Sequence, residues 1–185
     1  MFEKITDLDG QFLLWIQDNI RNDILTPIVK IITFLGNAGL LVIAATLTLM
    51  IIPKTRKLGL LCAAALIVNT ILCNLILKNA VGRIRPYEVI DGLKLIVGKQ
   101  SDWSFPSGHA SSGFTMGTVM WRETPRKIGI PVLILALLIA LSRLYVGVHY
   151  PTDVICGIIL GTMVGFFTCT VYHRAIAKNY ERLHR

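Results

Sequence analysis

Charge is scarce in this chain. Only 16% of its 185 residues are Asp, Glu, Lys or Arg, against 54% hydrophobic residues, and the mean hydropathy is +0.62. A soluble domain must wet its whole surface, so this composition excludes one and points to a polytopic membrane protein. Acidic residues are the scarcer sign, 11 against 19 Lys and Arg, for a formal charge of +8. The excess does not describe a nucleic-acid surface, because the basic residues fall in short loops and the tail and not along a polar face. The four cysteines, Cys62, Cys73, Cys156 and Cys169, all lie inside apolar runs. That excludes a disulfide framework and leaves no Cys–His pair at metal-ligand spacing. The N-terminal MFEKITDLDG lacks a basic stretch followed by an apolar one, so no cleaved signal peptide is expected, and no lipidation motif is present.

What remains is a set of apolar segments, read as one all-α membrane domain over 1–185. Residues 8–20 place Leu8, Phe12, Trp15 and Ile16 on one side at helical spacing, with Asp9, Gln17 and Asp18 elsewhere. This predicts an amphipathic helix at the membrane interface, or else one packed on the bundle. Residues 24–52 would span roughly 43 Å as a helix, longer than a bilayer core of about 30 Å. Gly36, Asn37 and Gly39 predict a break into 24–35 and 38–52. Further membrane segments are expected at 57–78, 107–121, 128–147 and 153–173, with a polar outer loop at 79–105. The total is five to six membrane helices plus the N-terminal amphipathic helix. The 107–121 segment covers only roughly 20 Å, so its start is expected below the lipid surface. Gly157, Gly161 and Gly165 recur every four residues, as do Gly113 and Gly117. Such stripes let helices approach closely, within one chain or across a dimer seam.

Alternating spans put the basic stretches 53–57, 122–127 and the tail from His173 on one side, expected to be cytoplasmic. The same alternation brings three polar clusters together on the other, outer face, with the N-terminus starting there too. The clusters are Lys78 to Pro86 (KNAVGRIRP), Pro106 to His109 (PSGH) and Ser142 to Asp153 (SRLYVGVHYPTD). Ionisable groups at the ends of apolar segments are costly, so each is a functional candidate. Arg85 and Arg143 offer planar forks that match phosphate oxygens, and Lys78 adds a point charge. Arg83 reads as a side chain snorkelling at a span end. Ser107 and Gly108 open a helix whose free N–H groups attract anions, and Gly108 lets backbone come close to a ligand. A carboxylate such as Asp153 beside an imidazole such as His149 fixes its tautomer and supports the charge that develops when it attacks. His109, His149 and Asp153 would also be adequate metal ligands. Lys78, Arg85 and Arg143 would then surround the metal with like charge, and Asp91 and Asp102 belong to the outer loop, so no metal and no cofactor is expected.

Taken together, the clusters resemble the three-part signature of the type II phosphatidic acid phosphatase superfamily, which also holds bacterial acid phosphatases and vanadium haloperoxidases. That pattern is a Lys followed seven residues on by Arg-Pro, then Pro-Ser-Gly-His, then Ser-Arg, five residues, His, three residues and Asp. Lys78, Arg85-Pro86, Pro106 to His109, Ser142-Arg143, His149 and Asp153 match it without departure. The resemblance implies a metal-independent phosphatase. It casts His149 as the nucleophile that becomes a phosphohistidine, Asp153 as its orienting partner and His109 as the acid for the leaving group. Lys78, Arg85, Ser107, Gly108 and Arg143 would bind the phosphate oxygens. The small size and outward site are similar to the bacterial integral-membrane branch in the plasma membrane. The expected partner is a lipid phosphate or pyrophosphate, first undecaprenyl pyrophosphate, then phosphatidylglycerophosphate or phosphatidic acid. A non-catalytic lipid-phosphate binding or transport protein is the alternative of another class.

Overall fold

The computed structural model describes residues 2–36 and 39–183, with the side chains of 6–36 and 39–178. Asn37 and Ala38, at the expected break, and the last two residues of the basic tail lie outside the described residues. Among the described residues, nine α-helices and one π-helical segment follow in order. They are α1 (Phe2–Asn19), α2 (Leu25–Leu35), α3 (Leu40–Ile51), α4 (Arg56–Thr70), the π segment (Ile71–Leu77), α5 (Lys78–Val81), α6 (Pro86–Val89), α7 (Gly108–Glu123), α8 (Arg126–Tyr145) and α9 (Pro151–Leu183). Among the described residues there is no strand.

Among the described residues, three helical runs are long and apolar enough to cross a membrane: Arg56–Val89, Arg126–Tyr145 and Pro151–Lys178, with mean hydropathies of 2.4, 2.2 and 2.2. The α2–α3 pair, bent by 47°, makes a fourth if taken as one broken span. Large apolar side chains such as Ile67 and Phe167 point outward and are more than half exposed. Against water such a surface would aggregate; against lipid it is ordinary. At 16 residues α7 is about 24 Å long, less than the bilayer core, and it forms the centre of the bundle. It carries Ala110, Ser111, Thr115 and Val119 fully out of reach of solvent.

Glycine explains how α7 is enclosed. A Cβ on Gly157 would stand 2.6 Å from the Ser107 carbonyl, and one on Gly165 would stand 2.7 Å from Thr118 Cβ. Gly161 likewise lies directly against the backbone of Ser111 and Thr115. On its other side, α7 offers Gly113 to Ala136 and Gly117 to Leu133 of α8. Of the two uses expected for the stripe, the one seen is packing within the chain, where Gly157, Gly161 and Gly165 lie against α7.

Several boundaries differ from the sequence-based expectation, each for a local reason. The segment expected at 153–173 starts at Pro151 and runs on to Leu183. Pro at the first helical position is pre-set for a helix, and no breaker follows residue 173. The 57–78 segment passes into the π segment, where the Lys78 N–H reaches back to the Cys73 carbonyl. The wider turn shifts the facing of the residues that follow, and Lys78 arrives buried at 6% exposure. The outer loop is not wholly irregular: it contains α6, and Leu93 packs with Leu95, Ile96 and Val97 into the core formed by α1, α8 and the start of α9. The helix predicted at 8–20 begins at Phe2, and Ile16, expected on one face with Leu8, Phe12 and Trp15, turns to the other. Leu13 and Ile16 are buried in the bundle, while Leu8, Phe12 and Trp15 stay exposed.

The α7–α9 contact yields a stability prediction. Gly161→Leu should overpack the interface and lower the melting temperature in detergent, a change of the kind that costs about 1–3 kcal/mol. Gly98→Ala, whose added methyl meets nothing within 4 Å, should leave it unchanged. Equal melting temperatures for both variants would contradict the packing described.

Candidate active site

Every residue singled out in the three clusters converges at one end of the bundle. Each is delivered by the start or end of a helix, where the backbone leaves free polar groups. Lys78 sits where the π segment gives way to α5, and Arg85 immediately precedes α6. Ser107 caps α7, its side chain accepting the Ala110 N–H at 3.5 Å. Arg143 lies in the last turn of α8 and Asp153 in the first turn of α9. His149 lies between those helices, in a turn made possible by Gly147, whose φ of +79° suits glycine. The Ser107 N–H donates to the Asp153 carbonyl at 3.0 Å, joining the second cluster to the third.

At the centre is His149, 1% exposed. Its Nδ1 lies 3.6 Å from Asp153 Oδ2 and its Nε2 lies 3.4 Å from Arg85 Nη1. The first distance exceeds a hydrogen bond, so the pair is electrostatic here. Burial pulls the His149 imidazole down to about 4; Asp153 opposes the fall, and Arg85 and Arg143 add to it. The ring is therefore neutral at physiological pH and has a lone pair to offer.

Asp153 is fully buried, and both its oxygens are engaged. Oδ2 accepts from the Ser104 hydroxyl at 2.5 Å and the Tyr150 N–H at 3.0 Å, and Oδ1 accepts from Arg83 Nη1 at 2.6 Å. Arg143, 1% exposed, donates from Nη1 to Thr33 Oγ1 at 2.5 Å. Its Nε and Nη2, like Nε2 of His109, are buried without a protein partner. Buried guanidinium donors normally find an acceptor, so the two of Arg143 are free to take one from an anion, and Nδ1 of His149 is unpartnered as well. His109 lies within electrostatic reach of Lys78, Arg85, Arg143 and His149. It lines a cavity of about 460 Å³ together with Lys78, Gly108, Asn74, Asn69 and Asp102.

Three acting residues differ from their reading in the sequence. Asp102, assigned to the outer loop with no partner named, pairs with Lys78 and, at 2.5 Å, with Arg85 Nη2. Partial burial alone would raise its carboxyl, but Lys78 and Arg85 override this and hold it at about 2. Arg83 does not snorkel: its guanidinium turns inward to Asp153, Asp9 and Thr152. Asp9, placed on the polar side of α1, is 5% exposed and bonded to Thr152. The one available signal for these three was an ionisable residue in or near an apolar segment, a criterion that many other positions also meet. Among the described residues, no group of three or more His, Cys, Asp or Glu side chains is placed to hold a metal ion.

The sequence model of the PAP2 superfamily matches residues 57–177. An undecaprenyl-diphosphatase of Sulfolobus acidocaldarius is 31% identical over 141 residues, which cover 76% of this chain and 68% of that protein. A lipid A 4'-phosphatase of Bacteroides thetaiotaomicron is 27% identical over 193 residues, covering 96% of this chain and 83% of that protein. In fold, the chain is similar to the crystal structure of a transmembrane PAP2-type phosphatidylglycerolphosphate phosphatase from Bacillus subtilis. That likeness has a TM-score of 0.76 at 24% identity, covering 92% of this chain and 87% of that one. The anion pocket at the ends of apolar helices and these matches lead to one conclusion: the chain belongs to the PAP2 superfamily and is an integral-membrane phosphatase.

Proposed function

We infer that the chain hydrolyses a long-chain isoprenoid diphosphate, undecaprenyl pyrophosphate first among them, releasing inorganic phosphate and undecaprenyl phosphate. The observation that carries the reading is the setting of His149: a neutral, buried imidazole between Asp153 and the Arg85 fork, facing orphaned donors of Arg143 and His109. The undecaprenyl-diphosphatase from Sulfolobus acidocaldarius supports the choice of lipid.

In this reading the terminal phosphate takes the place of the Asp102 carboxylate on Lys78 and Arg85, and the unpartnered Nε and Nη2 of Arg143 take further oxygens. Ser107 and Gly108 add the start of α7, where a lack of side chain at Gly108 keeps the approach open. His149 Nε2 attacks phosphorus, forming an N–P bond as the bond to the bridging oxygen breaks. His109 donates a proton to that oxygen, and undecaprenyl phosphate leaves. Asp153 stabilises the positive charge that grows on the His149 ring. Water then attacks the phosphohistidine, giving its proton to His109, and the N–P bond breaks to release phosphate. Little of this is bond-making by the protein; most is placement of charge around a transferring phosphoryl group.

The active site is read as facing outside the plasma membrane. Lys54, Lys57, Glu123 and Tyr172 gather around a cavity at the far end of the bundle from His149, so the basic loops and the site occupy opposite ends. Retention of the basic end in the cytoplasm follows the usual charge bias of membrane proteins.

Three outcomes are expected. In detergent, the protein should release phosphate from undecaprenyl pyrophosphate with higher kcat/KM than from phosphatidylglycerophosphate or phosphatidic acid. EDTA should leave the rate unchanged, and His149→Ala should abolish it; normal turnover by that variant removes His149 as nucleophile. Second, the His149 imidazole, identified in histidine-labelled protein by the signal lost in His149→Ala, should titrate with a midpoint near 4. Because the folded-state value is depressed, the ring should stay neutral through the physiological range; a midpoint above that of a free imidazole, about 6.5, would contradict the geometry. Third, Lys99→Cys, at an exposed position of the outer loop, should react with an impermeant thiol reagent on intact cells where the parent does not. Labelling only after lysis reverses the orientation.

A further inference from the structure

Arg83 makes more well-formed contacts than the reaction just described uses. Its Nη1 donates to Asp153 Oδ1 at 2.6 Å and to Thr152 Oγ1 at 2.7 Å, and its Nη2 donates to Asp9 Oδ2 at 2.9 Å. The guanidinium carbon lies 3.7 Å from the centre of the Tyr150 ring, close enough for a cation–π contact. Asp9 in turn accepts the Thr152 N–H at 3.3 Å and the Thr152 hydroxyl, tying α1 to the first turn of α9. Charge, stacking and fork geometry all fix the guanidinium in one place, on the side of Asp153 away from His149.

This arrangement divides the labour of Asp153. Oδ2 faces His149, while Oδ1 is taken by Arg83. A fully buried carboxylate with no cation beside it is costly and would relax by moving or by taking a proton. Either response would spoil the nucleophile, the first by releasing the ring and the second by holding on the His149–Asp153 pair the proton that the ring must be without to attack. We propose that Arg83 is a positioning residue for His149, acting through Asp153, and that Asp9 holds Arg83 in place, so that α1 is part of the active site. The proposal rests on His149 being the nucleophile.

The alternative is a purely structural brace between α1 and α9, and the two differ in what they move. Arg83 offsets part of the Asp153 charge. Without it, the unopposed carboxylate favours the protonated His149 ring, which is faced by Arg85 from before α6, Arg143 from α8, His109 from α7 and Asp153 from α9. Arg83→Gln should therefore raise the His149 titration midpoint by about one pH unit. It should lower kcat about 10- to 100-fold, the size typical of partners that orient an imidazole. KM and the affinity for inorganic phosphate should stay within about twofold, since no phosphate contact is lost. Arg83→Lys keeps the charge without the fork and should hold the midpoint near the parent value while recovering only part of kcat. A brace alone would lower the melting temperature and leave the midpoint and kcat of Arg83→Gln like the parent's, which overturns the proposal. Should Arg83→Gln fail to bind phosphate, Asp9→Asn is read in its place. It frees one end of Arg83 and should lower kcat about 10-fold with phosphate binding retained; a parent-like kcat again overturns it. The midpoint is read without substrate, so it is independent of which lipid the enzyme takes.

Discussion

The close approach of α7 and α9 is the constraint on which the site depends. Gly157 and Gly161 let the backbone of α9 lie against the carbonyls of Ser107 and Ser111. Because the helices touch at their first turns, the Ser107 N–H reaches the Asp153 carbonyl, and the start of α7 lies beside the carboxylate that faces His149. Two helix N-termini, each with a partial positive charge, are thereby aimed at one region. A side chain between them would separate the grip from the nucleophile. Phosphoryl transfer has little tolerance for that, since an error of about 1 Å in the reacting groups costs about 100-fold in rate. The same glycines that make a compact membrane bundle therefore set the spacing of the groups proposed to be catalytic.

Around this frame the charges form two layers. Lys78 and Arg85 share Asp102, whose side chain is 51% exposed. Arg83 serves Asp153 and Asp9, which are nearly inaccessible. The difference in exposure separates their roles. A half-exposed carboxylate regains water when it leaves its cations, so an incoming phosphate displaces it at small cost. The buried pairs have no such exit, and removing one partner would strand the other. In the proposed reaction the outer layer exchanges one anion for another, and the inner layer stays as it is while that happens. With Arg143 carrying two unpartnered donors, the whole site keeps an excess of positive potential that draws anions to it.

Much of the site was visible in the sequence because charge is rare there. Lys78, Arg85, Arg143, His149 and Asp153 stand at the edges of apolar segments, where no packing reason accounts for them, and simple alternation of those segments predicts that they meet. Arg83 sits in the same loop as Arg85, and two residues of spacing in an irregular stretch do not say which side chain turns inward. Asp9 was misread because its helix was assigned a single apolar face, whereas α1 has a lipid-facing side, with Leu8 and Phe12, and a bundle-facing side, with Leu13 and Ile16. Asp9 belongs with the second. Asp102 depends on the path of the outer loop, and that path is set by Leu93 and its neighbours docking on distant helices. The π segment before Lys78 has no signature in periodicity at all. What could not be read was in each case a tertiary choice between orientations that are equal locally.

The bounds of the family match give this division a further meaning. The match begins at residue 57, so α1, α2 and α3 lie before it. Yet two of the arginines nearest the nucleophile are pinned from that region: Arg83 by Asp9 of α1, and Arg143 by Thr33 of α2. In each case one end of the guanidinium is held by the N-terminal helices; the other bonds Asp153 for Arg83 and is buried without a protein partner for Arg143. Arg side chains are long and lose much freedom when fixed, so a fork held at one end has already met part of that cost before an anion arrives. The groups proposed to perform the chemistry thus belong to the matched part of the chain, while Asp9 and Thr33, which bond two of its cations, come from the helices that precede it. A change in those outer helices would alter how well the site is organised without changing any residue that touches phosphate.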